Sequence, residues 1–394
     1  EKKILYQLIF SAFLLFSNAY LVKANSDILS QDSTGKYCIN TEQDYYNFIE
    51  NIQNYNNKTV ILCNDIDISD VPEATSSFGG ILNGKGHTIT YASKEAKENI
   101  AVFPFRINDN GIVENINVQI DESYAYNSET DEFQTVFSRC DGIAKGITIK
   151  GNVTCIYDDE DTDVYIGAIE GNGTLMDSSI AITYDLQSEK TIEEIADDIV
   201  DNDLSFEFCQ LGTINTGITY QNCIGYGQYS EAIKSLADEL EPKIKDNTWG
   251  YLCVSFTRKS FFSTSASATN CYYDKENMPD IKIMSEYITN RDNNKEFPNY
   301  ADFGKTTSEM KNQGTYEGFD FNKKWTISPE DNNGYPYYNP QTEEITLKVQ
   351  ASTEPKVWST SVPRDYNRFV DYAKNYHFPY QVDIINGEKK EYLR

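Results

Sequence analysis

The feature that most constrains this chain is a repeat of 31 residues. GIVENINV from Gly111, GIAKGITI from Gly142 and GTLMDSSI from Gly173 align without gaps, and their fifth residues, Asn115, Gly146 and Asp177, are 31 apart each time. Two further anchors of the same turn-like kind, Asn222-Cys223 and Asn270-Cys271, follow at spacings of 45 and 48. A short apolar strand precedes each anchor, at 101–103, 135–137, 164–169, 206–209 and 251–256. Strands of four to six residues, punctuated by Gly, Asn and Asp and lacking the helical crossovers of βαβ units, predict parallel coils stacked on one another. The alternative, a β-sandwich, needs antiparallel hairpins, and two-residue Asn-Gly or Asp-Gly turns are scarce between these strands.

The two long spacings have a visible source. Residues 191–200 place Ile192, Ile195 and Ile199 on one helical face, with Thr191 and Glu194 spaced as a capping box. Residues 230–240 put Ile233, Leu236, Ala237 and Leu240 on one stripe. Each surplus is therefore read as a helix looped out between rungs, within about 187–203 and 228–246, so that removing either should leave the core intact. A stack of rungs also needs its ends covered, because bare strand edges aggregate. Residues 41–52 supply a cover: Thr41 is placed as an N-cap, and Tyr45, Phe48, Ile49 and Ile52 share an apolar face. The expected fold is all-β, a right-handed parallel β-helix (solenoid) with an N-terminal capping helix and two inserted helices.

Residues 1–24 read as a secretory signal peptide: Lys2 and Lys3, an apolar run from Ile4 to Phe16, then small residues before cut sites after Ala19 or Ala24. The apolar run is shorter than the about 20 residues that span a bilayer, so the mature chain is not expected in a membrane. A net charge of −27 disfavours nucleic acid and permits calcium or basic partners. Eight cysteines behind an export signal, Cys38, Cys63, Cys140, Cys155, Cys209, Cys223, Cys253 and Cys271, suggest disulfides. Nearest-neighbour pairing (38 with 63, 140 with 155, 209 with 223, 253 with 271) closes short loops. Stacked pairing of Cys223 with Cys271 is the rival, since both occupy the same repeat position. Asn57, Asn152 and Asn172 head sequons for N-glycosylation.

A resemblance adds to this reading. VILCNDIDIS from Val60 and FGGILNGKGHTI from Phe78 look like the first coil of secreted pectin-lyase-like β-helix proteins. NCYYD from Asn270, GKTTSEM from Gly304, GFDF from Gly318, WTI from Trp325 and NNGYPY from Asn332 resemble the closing region of GLUG-motif surface proteins. The match runs from about 38 to 339, and the Gly-Leu-x-Gly core survives only loosely in its middle, as in 167–171. It implies a β-helix and a place at the cell surface or beyond. It implies no substrate, because this fold hosts both adhesins and polysaccharide-cleaving enzymes.

Motifs for chemistry are sparse. Asp158, Asp159, Asp161 and Asp163 offer calcium-type oxygen ligands, but the loop lacks the glycine and closing glutamate of an EF-hand. Asp65 and Asp67 alternate along a strand, and His87 sits within an apolar strand pattern that favours a structural role. With His87 and His377 as the two histidines, a hydrolase triad is improbable. Tyrosines, 29 in all, suit strands and can stack on sugars. The expected function is a non-enzymatic structural or adhesive subunit of a surface layer, sheath or filament, with copies of itself, related surface proteins or glycans as partners. The alternative is a secreted carbohydrate-active enzyme. Converging carboxylates with a basic residue in a groove favour the enzyme, and a ladder of neutral residues favours the scaffold. The 25–340 domain is followed by a tail, 341–394, in which Glu344–Gln350 alternates like an edge strand, suited to capping or to pairing with another copy.

Overall fold

The computed structural model describes residues 29–69, 71–72, 74, 76–92, 101–121, 136–157, 163–212, 217–245, 248–255, 267–279, 281–285 and 303–339, and the backbone of 122–125, 133–135, 358–359, 380–385 and 388–393. The chain divides into two compact units, Glu1–Pro340 and Gln341–Arg394.

The first unit is mostly sheet. Beginning with Phe103–Ile107, the chain alternates between two sheets and lays down a new parallel strand beside the previous one at each visit. The smaller sheet runs, strand beside strand, from Phe103–Ile107 through Phe133–Cys140, Val164–Ile169 and Ser205–Cys209 to Tyr251–Ser255. These are the five strands expected ahead of the anchors. The final strand of that sheet, Ile281–Ile283, pairs antiparallel with Tyr251–Ser255. The larger sheet has 15 strands, its central members being Ile81–Asn83, Ile112–Ala125, Ile143–Ile156 and Ser179–Gln187.

Register follows the repeat. Ile112 pairs with Ile143 and Ile143 with Thr174, a step of 31; Thr174 pairs with Thr219 and Thr219 with Ser267, steps of 45 and 48. Side chains of one type therefore meet their own kind across strands, as in the buried row Leu82, Val113, Ala144, Leu175, Tyr220 and the row Ile89, Val118, Ile149, Ile180. Phe103 stacks on Phe137 in the smaller sheet, with ring centroids 4.8 Å apart. Both sheets contribute to one core. The strands that cross the anchors differ from expectation: Ile112–Ala125 and Ile143–Ile156 are each 14 residues long. A single left-handed residue, Asn115 (φ 56°) or Gly146 (φ 62°), bends the backbone there, and pairing resumes on both sides.

Four α-helices occur among the described residues: α1 Glu42–Glu50, α2 Ile192–Asp201, α3 Glu231–Leu240 and α4 Thr307–Met310. Thr41 caps α1 in a capping box with Asp44, and Tyr45, Phe48 and Ile49 are buried; Ile52 opens a following 3-10 turn, Ile52–Tyr55. Phe48 packs edge-on against Phe78 and Phe105, and the Tyr45 hydroxyl donates to Val102 O at 2.6 Å, so α1 closes the core as its amphipathic face requires. Cys38 and Cys63, on either side of α1, form a disulfide with Cα atoms 5.9 Å apart. Removing this bridge in a Cys38→Ala/Cys63→Ala variant should cost about 2–4 kcal/mol, read from guanidinium unfolding.

The inserted helices correct one expectation. Helix α2 has the Thr191–Glu194 capping box and α3 is capped by Ser230. Yet Ile195 and Ile199 of α2, with Ile233, Leu236 and Leu240 of α3, belong to the main core, and the two helices pack on each other. They are part of the packed body, so deletion of either would strip the buried face of the other. The pairings of Cys140 with Cys155, Cys209 with Cys223 and Cys253 with Cys271 are also corrected: all six are buried thiols. Neighbours in sequence fall on different sheets, as Cys140 ends a strand of the smaller sheet and Cys155 lies in the larger one.

The second unit contains an antiparallel sheet in which Glu388–Leu393 lies between Trp358–Ser359 and Tyr380–Ile385. Tyr380–Ile385 and Glu388–Leu393 pair along their length, from Tyr380 with Leu393 to Ile385 with Glu388. The expected edge strand Glu344–Gln350 lies outside the described residues, as do residues 1–28 with their expected signal segment.

Candidate functional site

The anchors form a ladder. Asn115, Gly146, Asp177, Asn222 and Asn270 all have φ between 50° and 62°, the left-handed region that Asn, Asp and Gly tolerate best. Asn270 Nδ2 donates to Asn222 Oδ1 at 3.3 Å, and Asn222 Nδ2 donates to Asp177 Oδ1 at 3.0 Å. The ladder ends on a carboxylate whose other oxygen accepts from Lys324 Nζ at 2.8 Å.

Lys324 belongs to a layer, residues 303–339, laid over the outer face of the larger sheet around the ladder. Its own small core joins Met310, Tyr316, Phe319, Trp325, Tyr335 and Tyr338 to Ile224 and Tyr272 of the sheet. The corner conformation alone would allow Asn or Asp at position 146, but a Cβ there would lie 2.4 Å from the Tyr338 ring, which singles out glycine. Asp274 pins the layer. Fully buried, it accepts from Tyr335 Oη at 2.6 Å, Thr307 Oγ1 at 2.7 Å, Asn277 Nδ2 at 3.1 Å and the amides of Glu276 and Asn277. Burial pushes the Tyr335 phenol well up, and its bond to Asp274 adds to the shift. The Asp177 bonds can be separated by substitution. Asp177→Asn keeps an acceptor for Asn222 and should cost less than about 1 kcal/mol, as Lys324 is partly exposed. Asp177→Ala strands Asn222 and should cost about 2–3 kcal/mol. Guanidinium midpoints compare the two.

A second cluster gathers charge at the turn leaving the smaller sheet. Arg106 and Arg139 are register partners on adjacent strands, and both place Nε on Asp141 Oδ2. Arg139 also reaches Glu170 at 3.4 Å, and the Asn172 amide donates to Asp141 Oδ1 at 3.1 Å. The Asp141 and Glu170 side chains are 5% and 18% exposed, the arginines 54% and 40%. Burial pushes Asp141 up, but Arg139, the Asn172 amide and Arg106 more than offset it and hold the group below the usual carboxylate range. Burial raises Glu170, Arg139 opposes this, and Asp141 adds to it, for a net rise. Two carboxylates pushed apart beside cationic groups are a possible acid–base pair in chemical terms. Here, however, Asp141 is engaged in bracing the turn. Sequence reasoning missed this cluster although the repeat marks it: Arg139 and Glu170, like Asp141 and Asn172, are one period of 31 apart.

The remaining predicted residues are dispersed. His87 Nδ1 lies 3.0 Å from Asp65 Oδ1, which also accepts from the Thr88 amide; His87 thus precedes the strand Thr88–Ala92 and pins its entry, and Asp67 is exposed on the strand Ile66–Ile68. Asp158, Asp159 and Asp161 lie outside the described residues, whereas Asp163 accepts from the Ser205 amide at 2.6 Å and from Tyr165 Oη at 3.2 Å. Among the described residues no group of three or more His, Cys, Asp and Glu could hold a metal, and no helix is long and apolar enough to cross a membrane. Asn57, Asn152 and Asn172 are all exposed, on a turn, mid-strand and on a turn. Comparison with known proteins finds no matching family model, no matching curated protein and no matching solved structure.

Proposed function

We propose that this chain is a right-handed parallel β-helix of the GLUG-like secreted type and serves outside the cell as a structural or adhesive subunit of a surface layer, sheath or filament. One observation carries the reading: five successive turns place Asn, Gly or Asp in the same left-handed corner, and the side chains of the last three, Asp177, Asn222 and Asn270, bond along the stack and, through Lys324, to the layer that covers it. The side chains of Asp177, Asn222 and Asn270 are committed to holding their rungs in register, as a load-resisting element requires. Exposed sequons at Asn57, Asn152 and Asn172 suit a glycoprotein surface, and the partners are further copies, related surface proteins or glycans. The tail supplies either a cap or a strand for a neighbouring copy.

The second reading, a carbohydrate-active enzyme, is favoured by Asp141 and Glu170 beside two arginines. Secretory expression of the full chain in eukaryotic cells separates the two. The structural reading expects protein in the medium, with glycan on the sequons and no release of reducing or unsaturated sugars from a polysaccharide panel. Cleavage that disappears in Glu170→Gln, with folding kept, would overturn it.

A further inference from the structure

Beyond the Cys38–Cys63 bridge the chain carries six buried thiols, and two of them share a row. Gln221 pairs with Thr269 and Ile224 with Tyr272, so Cys223 lies directly against Cys271 on the next strand. The other four thiols have no cysteine in register. Cys140 is opposite Ile107, Cys155 opposite Tyr124 and Leu186, Cys209 opposite Ser255, and Cys253 opposite Glu207 and Lys282. Cys223 and Cys271 each follow an asparagine with φ 52°, so their Cβ atoms leave equivalent corners in the same direction, into the core. Adjacent parallel strands are about 4.8 Å apart, within the about 4.4–6.8 Å between Cα atoms that a disulfide spans. Burial first, and the neighbouring Cys271 thiol next, push the Cys223 thiol well up.

Cys223 and Cys271 are both thiols in this structure; we propose that they are oxidised to a second disulfide in the exported protein. The bond joins the two rungs separated by the longest stretch of chain between anchors, 48 residues, where the period is most disturbed and register is least fixed by local sequence. Both cysteines are fully buried, so exchange belongs to a stage of folding before the core closes. The oxidant is the disulfide of a thiol–disulfide oxidoreductase. Cys223 loses its proton and attacks that disulfide, displacing one enzyme sulfur as thiolate. The Cys271 thiolate then attacks the Cys223 sulfur of the mixed disulfide and displaces the second enzyme sulfur. Two protons and two electrons leave the cysteine pair, the new S–S bond forms, and the enzyme departs as its dithiol.

The inference rests on export through an oxidising compartment, and Cys38–Cys63 serves as the internal control. Full-length secreted protein is unfolded without reductant, alkylated, digested and mapped by mass spectrometry. The expected map has four alkylated cysteines, 140, 155, 209 and 253, and two cross-linked peptide pairs, 38 with 63 and 223 with 271, each two hydrogens lighter than its reduced parts. Cys271→Ser should make Cys223 alkylatable and leave the rest of the map unchanged; if that variant is not secreted, the wild-type map decides. Alkylated Cys223 and Cys271 in protein that keeps the 38–63 link overturns the proposal and leaves export standing. Alkylation of all eight overturns both.

Discussion

Replacing Gly151 by alanine is expected to remove the folded state, not merely weaken it. Gly151 has φ 140° and lies mid-strand, in register with Ile120 on one side and Ile182 on the other. An added Cβ would sit 1.8 Å from Ile120 O and 2.7 Å from its carbonyl carbon. Relief would require moving a strand that is paired along both edges, so the clash has no flexible side chain to absorb it. The expected loss exceeds about 4 kcal/mol, seen as absent secretion or loss of the cooperative guanidinium transition. Gly35→Ala is the control: φ is 80° but nothing lies within 4 Å, and the expected cost is about 1–2 kcal/mol. Equal behaviour of the two variants would show that strand 143–156 does not lie against strand 112–125 as described.

Asp274→Ala should have the next largest effect, about 3–5 kcal/mol. It deletes the acceptor for two hydroxyls, a side-chain amide and two backbone amides at a site closed to water. The loss should be local first. The layer 303–339 should detach and become sensitive to protease, and Trp325, which is buried in it, should shift its fluorescence towards that of a solvated indole. Asp274→Asn keeps one carbonyl acceptor and should fall between alanine and wild type. A layer that stays docked in Asp274→Ala would mean that the aromatic cluster around Trp325, without the carboxylate, holds it.

Much of the stack was legible because the repeat is a direct record of geometry. Residues 31 apart occupy equivalent corners, and the amino acids that tolerate a left-handed corner are few, so Asn115, Gly146 and Asp177 announced their own register. The capping helix and both inserted helices were legible from apolar periodicity and N-caps. Their burial was not: an amphipathic stripe shows that a helix has a partner, and α2 and α3 find theirs in each other and in the main core. Of the nearest-neighbour cysteine pairs, Cys38–Cys63 was legible, since both lie beside the capping helix, but the other three were not, because a chain that alternates between two sheets separates neighbours in sequence and brings together residues one whole turn apart. The charge cluster at Asp141 escaped for a related reason. Arg106, Arg139, Glu170 and Asn172 come from three successive turns and look unremarkable one at a time.

The central claim, that this is an assembling structural β-helix, is tested most directly by electron microscopy of secreted full-length protein at rising concentration, beside a chain truncated after Pro340. The account predicts ordered polymers from the full chain and folded, unassembled particles from the truncated one. Full-length protein that stays monomeric at every concentration would contradict it.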